Sequence, residues 1–109
     1  MKKLQLLTAA TLFLIGTQAQ AEETLDSYKE IRTVWQTCAG CHGQKGEGMA
    51  SFPALAGRDA DYIINALLQY KRQEPRGPMS ALMYGQAQML TDGQIGTIGV
   101  YIQQGFPNE

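Results

Sequence analysis

Both cysteines and the single histidine of this 109-residue chain fall within five residues, Cys38-Ala39-Gly40-Cys41-His42. That clustering constrains the chain more than any other feature, because the fold must present two thiols and an imidazole at one place. Two intervening residues set the thiols about one helical turn apart, and the imidazole follows directly. Several chemistries use a cysteine pair. A disulfide closing so short a loop contributes little by chain entropy. A thioredoxin-like pair expects a βαβ context, and no β-type alternation is evident in the sequence. A structural zinc site needs four ligands, and beyond this cluster no Cys or His remains.

The remaining chemistry is C-x-x-C-H, the attachment signature of c-type haem. The two thiols add across the haem vinyl groups as thioethers, and the adjacent imidazole ligates the iron from one face. The motif thus predicts one covalently bound haem c per chain, with Cys38 and Cys41 as attachment points and His42 as an axial ligand.

The start of the chain fits an oxidising address. Lys2 and Lys3 precede an apolar run from Leu4 to Gly16, and Ala19-Gln20-Ala21 supplies an A-x-A cleavage site. That is the order of a secretory signal peptide, and the apolar run is shorter than the roughly 20 residues of a membrane-spanning helix. We therefore expect residues 1–21 to be removed after Ala21, with no permanent membrane anchor, and residues 22–109 to form one domain in the periplasm. Of nine basic and ten acidic side chains, two lysines leave with the leader, giving a net charge of −3. A mildly acidic domain is a poor nucleic-acid partner. A core this small usually needs a staple, which covalent haem would supply.

The rest reads as helices and loops. Residues 22–37 predict a first helix, capped by Thr24 or Asp26, with Tyr28, Ile31, Trp35 and Cys38 on one apolar face. Trp35 reads as core, and its indole N–H needs a polar partner, a haem propionate being one candidate. Gly43-Gln44-Lys45-Gly46-Glu47-Gly48 predicts a tightly turning loop; it lacks the Lys-Ser/Thr ending and preceding strand of a phosphate loop. Asp59 to Arg72 predicts a second helix with Asp59 as N-cap and Lys71 and Arg72 in the last turn, a charge order that suits the helix dipole. Thr91 and Gln94 predict a capping box for a last helix lined by Ile95, Ile98 and Ile102. Gly105 ends that helix, and Phe106 is expected to fold back on Tyr101.

Iron opposite His42 needs a second ligand or an open position. No second histidine exists, and a methionine thioether is a recognised axial ligand that raises the reduction potential. Met1 leaves with the leader and Met49 lies close to the proximal loop, so Met79, Met83 and Met89 remain, each equally at home as core filler. An iron-bound histidine also needs an acceptor for its second ring nitrogen. The carbonyl of Pro53 is a candidate, beside the plainer reading of Pro53 as a turn residue.

Cys38-Ala39-Gly40-Cys41-His42-Gly43, Phe52-Pro53-Ala54-Leu55-Ala56-Gly57 and Leu90-Thr91-Asp92 with Ile95, Ile98, Tyr101 and Ile102 resemble the small bacterial class I c-type cytochromes. The resemblance covers essentially all of residues 22–109. It implies an all-α fold with crossed N- and C-terminal helices around one haem, and one-electron transfer between redox proteins without catalysis on a substrate. It also implies Met83, seven residues before Leu90, as the axial methionine, with Met79 as second choice, and it supports Pro53 as the acceptor for His42. The alternative function is an electron-accepting subunit of a larger periplasmic dehydrogenase, for example in sulfur-compound oxidation. A haem sensor or peroxidase-like protein with an open iron position is a third reading, against which Met83 argues. One departure stands out. Relatives often have glycine where this chain has Ile31, while Gly96 and Gly99 stand in the last helix where alanine is common. The small residues needed for close approach of the terminal helices are thus expected on the last helix, with Gly99→Ala destabilising.

Overall fold

A computed structural model describes residues 27–108. The chain separates into compact units 1–30 and 31–109, and of the first only residues 27–30, which are helical, are described. The proposed leader, its cleavage site, and the Thr24 and Asp26 caps lie outside the described residues. In the second unit, residues 31–42 form α1. Then come α2 (Ala60–Lys71), α3 (Ala81–Gln88) and α4 (Asp92–Gln103). Among the described residues the fold is all-α, the one extended pairing being an isolated bridge between Met49 and Phe52.

Each helix has a local reason for its limits. The Asp59 side chain accepts the Tyr62 N–H at 2.8 Å and starts α2. At α4 the Thr91 Oγ1 accepts from the Gln94 N–H at 3.1 Å while the Gln94 Oε1 accepts from the Thr91 N–H at 2.9 Å, so both members of the capping box are present. The end of α4 is a Schellman turn: the Gly105 N–H reaches the Ile102 carbonyl at 3.0 Å and the Phe106 N–H reaches the Tyr101 carbonyl at 3.1 Å. Gly105 takes φ +85° there, a conformation open to glycine at little cost.

The core sits where α1 meets α4. Ile31, Trp35, Ile95 and Ile98 are essentially inaccessible to solvent, and Ile102, Tyr101 and Phe106 are buried beside them. The Schellman turn folds the Phe106 ring onto Trp35, with centroids 4.6 Å apart, and edge-on to Tyr101 at 5.9 Å. Tyr101 also lies 6.2 Å from Trp35. Three aromatic rings in tilted and edge contact add about 0.5–1.5 kcal/mol per pair beyond area burial.

Two expectations about this core need correction. The Trp35 Nε1–H donates to the backbone carbonyl of Gln44 at 3.0 Å, so its polar partner is the glycine-rich loop and not a propionate. Gly99 does permit a close helix approach, but to α2. A Cβ there would stand 2.7 Å from Ile64 Cγ1 and 3.0 Å from the Ala60 carbonyl oxygen, whereas one at Gly96 would meet none of the described residues within 4 Å. Ile31 is accommodated as an ordinary core residue.

The segment from Met79 to Met89, read from sequence only as methionine-rich, contains α3. Its start is organised by Ser80, which is 6% exposed. The Ser80 Oγ accepts the Arg76 and Gly77 N–H groups at 2.7 and 2.8 Å, and donates to the Gly77 carbonyl at 2.8 Å. Its other end is tied to α2 by the Lys71 ammonium, which donates to the Leu90 carbonyl at 2.7 Å and pairs with Asp92 at 3.0 Å. In between, the Tyr84 ring lies 6.3 Å from that of Tyr70 on α2.

Candidate functional site

The helical run of α1 continues through the cysteine–histidine cluster, five residues past the limit expected from sequence. Cys38 and Cys41 are therefore three residues apart on one helix, one turn along its surface. Cys38 is half-buried and Cys41 is exposed, and no disulfide joins them. His42 is the last helical residue and is 7% exposed. The Gly43 N–H closes the helix onto the Ala39 carbonyl at 2.9 Å.

The following loop is folded back under the histidine. The His42 carbonyl accepts the Gly48 N–H at 2.8 Å, and the Gly46 carbonyl accepts the N–H groups of Leu55 and Ala56 at 2.8 and 2.9 Å. Gly46 has no side chain to displace the Phe106 ring that packs against it. Met49 and Phe52 exchange both backbone hydrogen bonds around a two-residue turn, which reverses the chain just before Pro53. The Pro53 carbonyl then lies 2.8 Å from His42 Nδ1. A carbonyl only accepts, so Nδ1 carries a proton and donates, and in the neutral ring that tautomer leaves the lone pair on Nε2. The ring is fixed in plane and tautomer, the arrangement that prepares an imidazole to ligate a metal.

The Cys38 thiol is not set up for disulfide exchange. Burial pushes the Cys38 thiol up to about 11, and its Sγ lies 3.8 Å from the Val34 carbonyl. Redox-active C-x-x-C pairs depend on a lowered thiol pKa, often at a helix N-terminus. The upward shift at Cys38 is the opposite of that requirement.

Of the methionines, Met83 in α3 is half-buried, while Met79, Met49 and Met89 are 39%, 50% and 76% exposed.

Residues 28–105 match the cytochrome c family. The chain belongs to the cytochrome c family. It is 38% identical over 66 residues to cytochrome c-554(548) of Halomonas halodenitrificans, a match covering 60% of this chain and 80% of the relative. It is 32% identical over 74 residues to cytochrome c-554(547) of Halothiobacillus neapolitanus, covering 61% and 81%. A thiosulfate dehydrogenase electron acceptor of Stutzerimonas stutzeri is 28% identical over 103 residues, covering 90% of this chain but 47% of that protein. Membership makes the chain a small class I c-type cytochrome with covalently bound haem c, and an electron-transfer protein rather than an enzyme.

The residues present fit that group. Two thiols on one helical turn precede a buried imidazole whose Nδ1 is held by the Pro53 carbonyl, so Nε2 is the nitrogen that would face a metal. Val34, Phe52, Leu55, Leu67, Leu68 and Met83 are only half-buried by protein, apolar surface that a large apolar macrocycle can cover. Sequence reasoning pointed to no role for Ser80, whose buried hydroxyl shapes the turn ahead of α3. A serine four residues after Arg76 carries no signal that distinguishes it from a surface serine.

Proposed function

We propose that this cytochrome is a periplasmic one-electron carrier holding a single haem through Cys38 and Cys41, with His42 and Met83 as axial ligands. When bound, the haem supplies one-electron ferrous–ferric redox chemistry. The protein's part is to hold and orient. Pro53 fixes the His42 ring through Nδ1 at 2.8 Å and increases the electron donation of Nε2. Ser80 and Lys71 hold the two ends of the segment that carries Met83. With His42 and Met83 both holding the iron, no position would be left for an exchangeable ligand, which suits electron transfer. The observation carrying this reading is the buried His42 with its Nδ1 held by the Pro53 carbonyl, one residue from a helical cysteine pair.

Cleavage after Ala21 completes the proposal, leaving residues 22–109 as the mature cytochrome domain. None of the described helices is long and apolar enough to cross a membrane. The second reading is an electron-accepting subunit or acceptor of a periplasmic dehydrogenase, favoured by likeness along 90% of this chain to a thiosulfate dehydrogenase electron acceptor. Purification from the periplasm with partners retained, followed by haem staining on a denaturing gel, tests both. Stain persisting at the mass of residues 22–109 supports the carrier; a copurifying flavin or molybdenum chain selects the subunit reading. Stain lost on denaturation, or a product retaining residues 1–21, refutes the proposal.

A further inference from the structure

The helix that carries Met83 has little in its own sequence to hold it. α3 spans eight residues, Ala81–Gln88, and isolated helices shorter than about 12–15 residues are marginal in water. It contains Gly85 and no charged residue, so neither end carries a charge that suits the helix dipole. The Ser80 hydroxyl is bonded back to the turn ahead of it and gives α3 no side-chain cap. Ala81, Leu82, Gly85, Gln86 and Met89 are exposed, so α3 packs through one side only. Its position depends on groups outside it.

Lys71, the last residue of α2, fixes the far end of α3. Its Nζ donates to the Leu90 carbonyl at 2.7 Å and pairs with Asp92 Oδ1 at 3.0 Å. The Leu90 N–H in turn reaches the Ala87 carbonyl at 3.1 Å, so Leu90 belongs to the closing turn of α3, and holding its carbonyl holds that turn. The two Lys71 contacts differ in kind. The Asp92 side chain is 80% exposed, and ion pairs in water contribute little. The Leu90 bond is partly buried, and a charged donor makes the stronger kind of hydrogen bond. We infer that Lys71 is a positioning residue for Met83: its bond to the Leu90 carbonyl keeps α3 in place and governs how readily Met83 gives way to an added ligand at the iron. The inference rests on Met83 as the axial ligand.

The test titrates ferric holoprotein with imidazole and follows loss of the sulfur-to-iron charge-transfer band, with guanidinium chloride unfolding measured alongside. Lys71→Met keeps the apolar stem and removes the donor. It is expected to raise imidazole affinity about tenfold, equivalent to about 1.4 kcal/mol. Asp92→Asn removes the ion pair but not the carbonyl bond, and is expected to change the affinity by less than about twofold. Gly99→Ala, which lowers stability through the contact of α4 with α2, is expected to leave the affinity unchanged. Gly85→Ala acts in the opposite direction. Position 85 lies about 200° around α3 from Met83, a Cβ there meets none of the described residues within 4 Å, and the better helix former is expected to lower the affinity several-fold. If Lys71→Met does not accumulate alone, the comparison is made in the Gly85→Ala background, with the same tenfold difference expected. Unchanged imidazole affinity in Lys71→Met with a lowered unfolding midpoint would make Lys71 a general stabiliser and overturn the inference. An equal rise in Asp92→Asn or in Gly99→Ala would overturn it too, by assigning the effect to the ion pair or to overall loosening. A wild-type ferric protein without the band would refute Met83 ligation itself, and the inference with it.

Discussion

Substituting each of two glycines in α4 separates helix propensity from packing. Alanine is favoured over glycine in a helix interior by about 1 kcal/mol, and that gain is common to Gly96→Ala and Gly99→Ala. At position 96 the new methyl meets none of the described residues within 4 Å, so the variant is expected to gain up to about 1 kcal/mol. At position 99 the methyl stands 2.7 Å from Ile64 Cγ1, 3.2 Å from Ile64 Cδ1 and 3.0 Å from the Ala60 carbonyl, well inside the ~3.5–4.0 Å of ordinary contact. Relief requires α2 to move away from α4. The Ala60 N–H donates to Gln103 Oε1 at 2.6 Å one turn further along α4, and that bond resists the movement. Overpacking of this kind costs about 1–3 kcal/mol. The propensity gain cancels between the variants, so Gly96→Ala is expected to exceed Gly99→Ala in stability by about 1–3 kcal/mol. Gly99→Ala itself is expected below wild type. Guanidinium chloride unfolding of the holoprotein, followed by far-UV circular dichroism at equal slope, reads the difference directly. Equal midpoints for the two variants, or Gly99→Ala above wild type, would refute the packing argument.

Two further predictions concern the framework around the site. Trp35→Phe removes the donor to the Gln44 carbonyl and part of a buried ring system; a loss of about 2–4 kcal/mol is expected, and thermal unfolding matching wild type would contradict it. Ser80→Ala leaves the Arg76 and Gly77 amides without their acceptor, which should cost about 1–3 kcal/mol. Hydrogen exchange at those two amides should accelerate, and unchanged protection would show that Ser80 does not hold the turn.

How much was legible follows from how local each signal is. The all-α class, the caps of α2 and α4 and the closure of Phe106 on Tyr101 rest on contacts within a few residues, and sequence carries those. The end of α1 was misread because Gly40, Gly43 and the cysteines have weak helix propensity. Helix formation there is settled by packing of Trp35 and Ala39 against the rest of the core, and tertiary contacts override propensity. The length of α3 was missed because Ala81–Gln88 has almost no apolar periodicity; it is held instead by Ser80 and Lys71 from outside its own sequence. The partners of Trp35 and Gly99 were misassigned for the same reason, since each lies across the fold. At the site, Cys38, Cys41 and His42 stand out as candidates by residue type and spacing, whereas Met83 is singled out among the methionines only by the family resemblance. The 2.8 Å approach of Pro53 to His42 depends on a reversal built from Gly46, Gly48, Met49 and Phe52, and only the structure shows that loop closing.

The central claim is that His42 and Met83 hold the haem iron between them. The ferric sulfur-to-iron charge-transfer band of the holoprotein reports the thioether bond. It is expected to vanish in Met83→Ala and to persist in Met79→Ala; a band surviving in Met83→Ala would contradict the account.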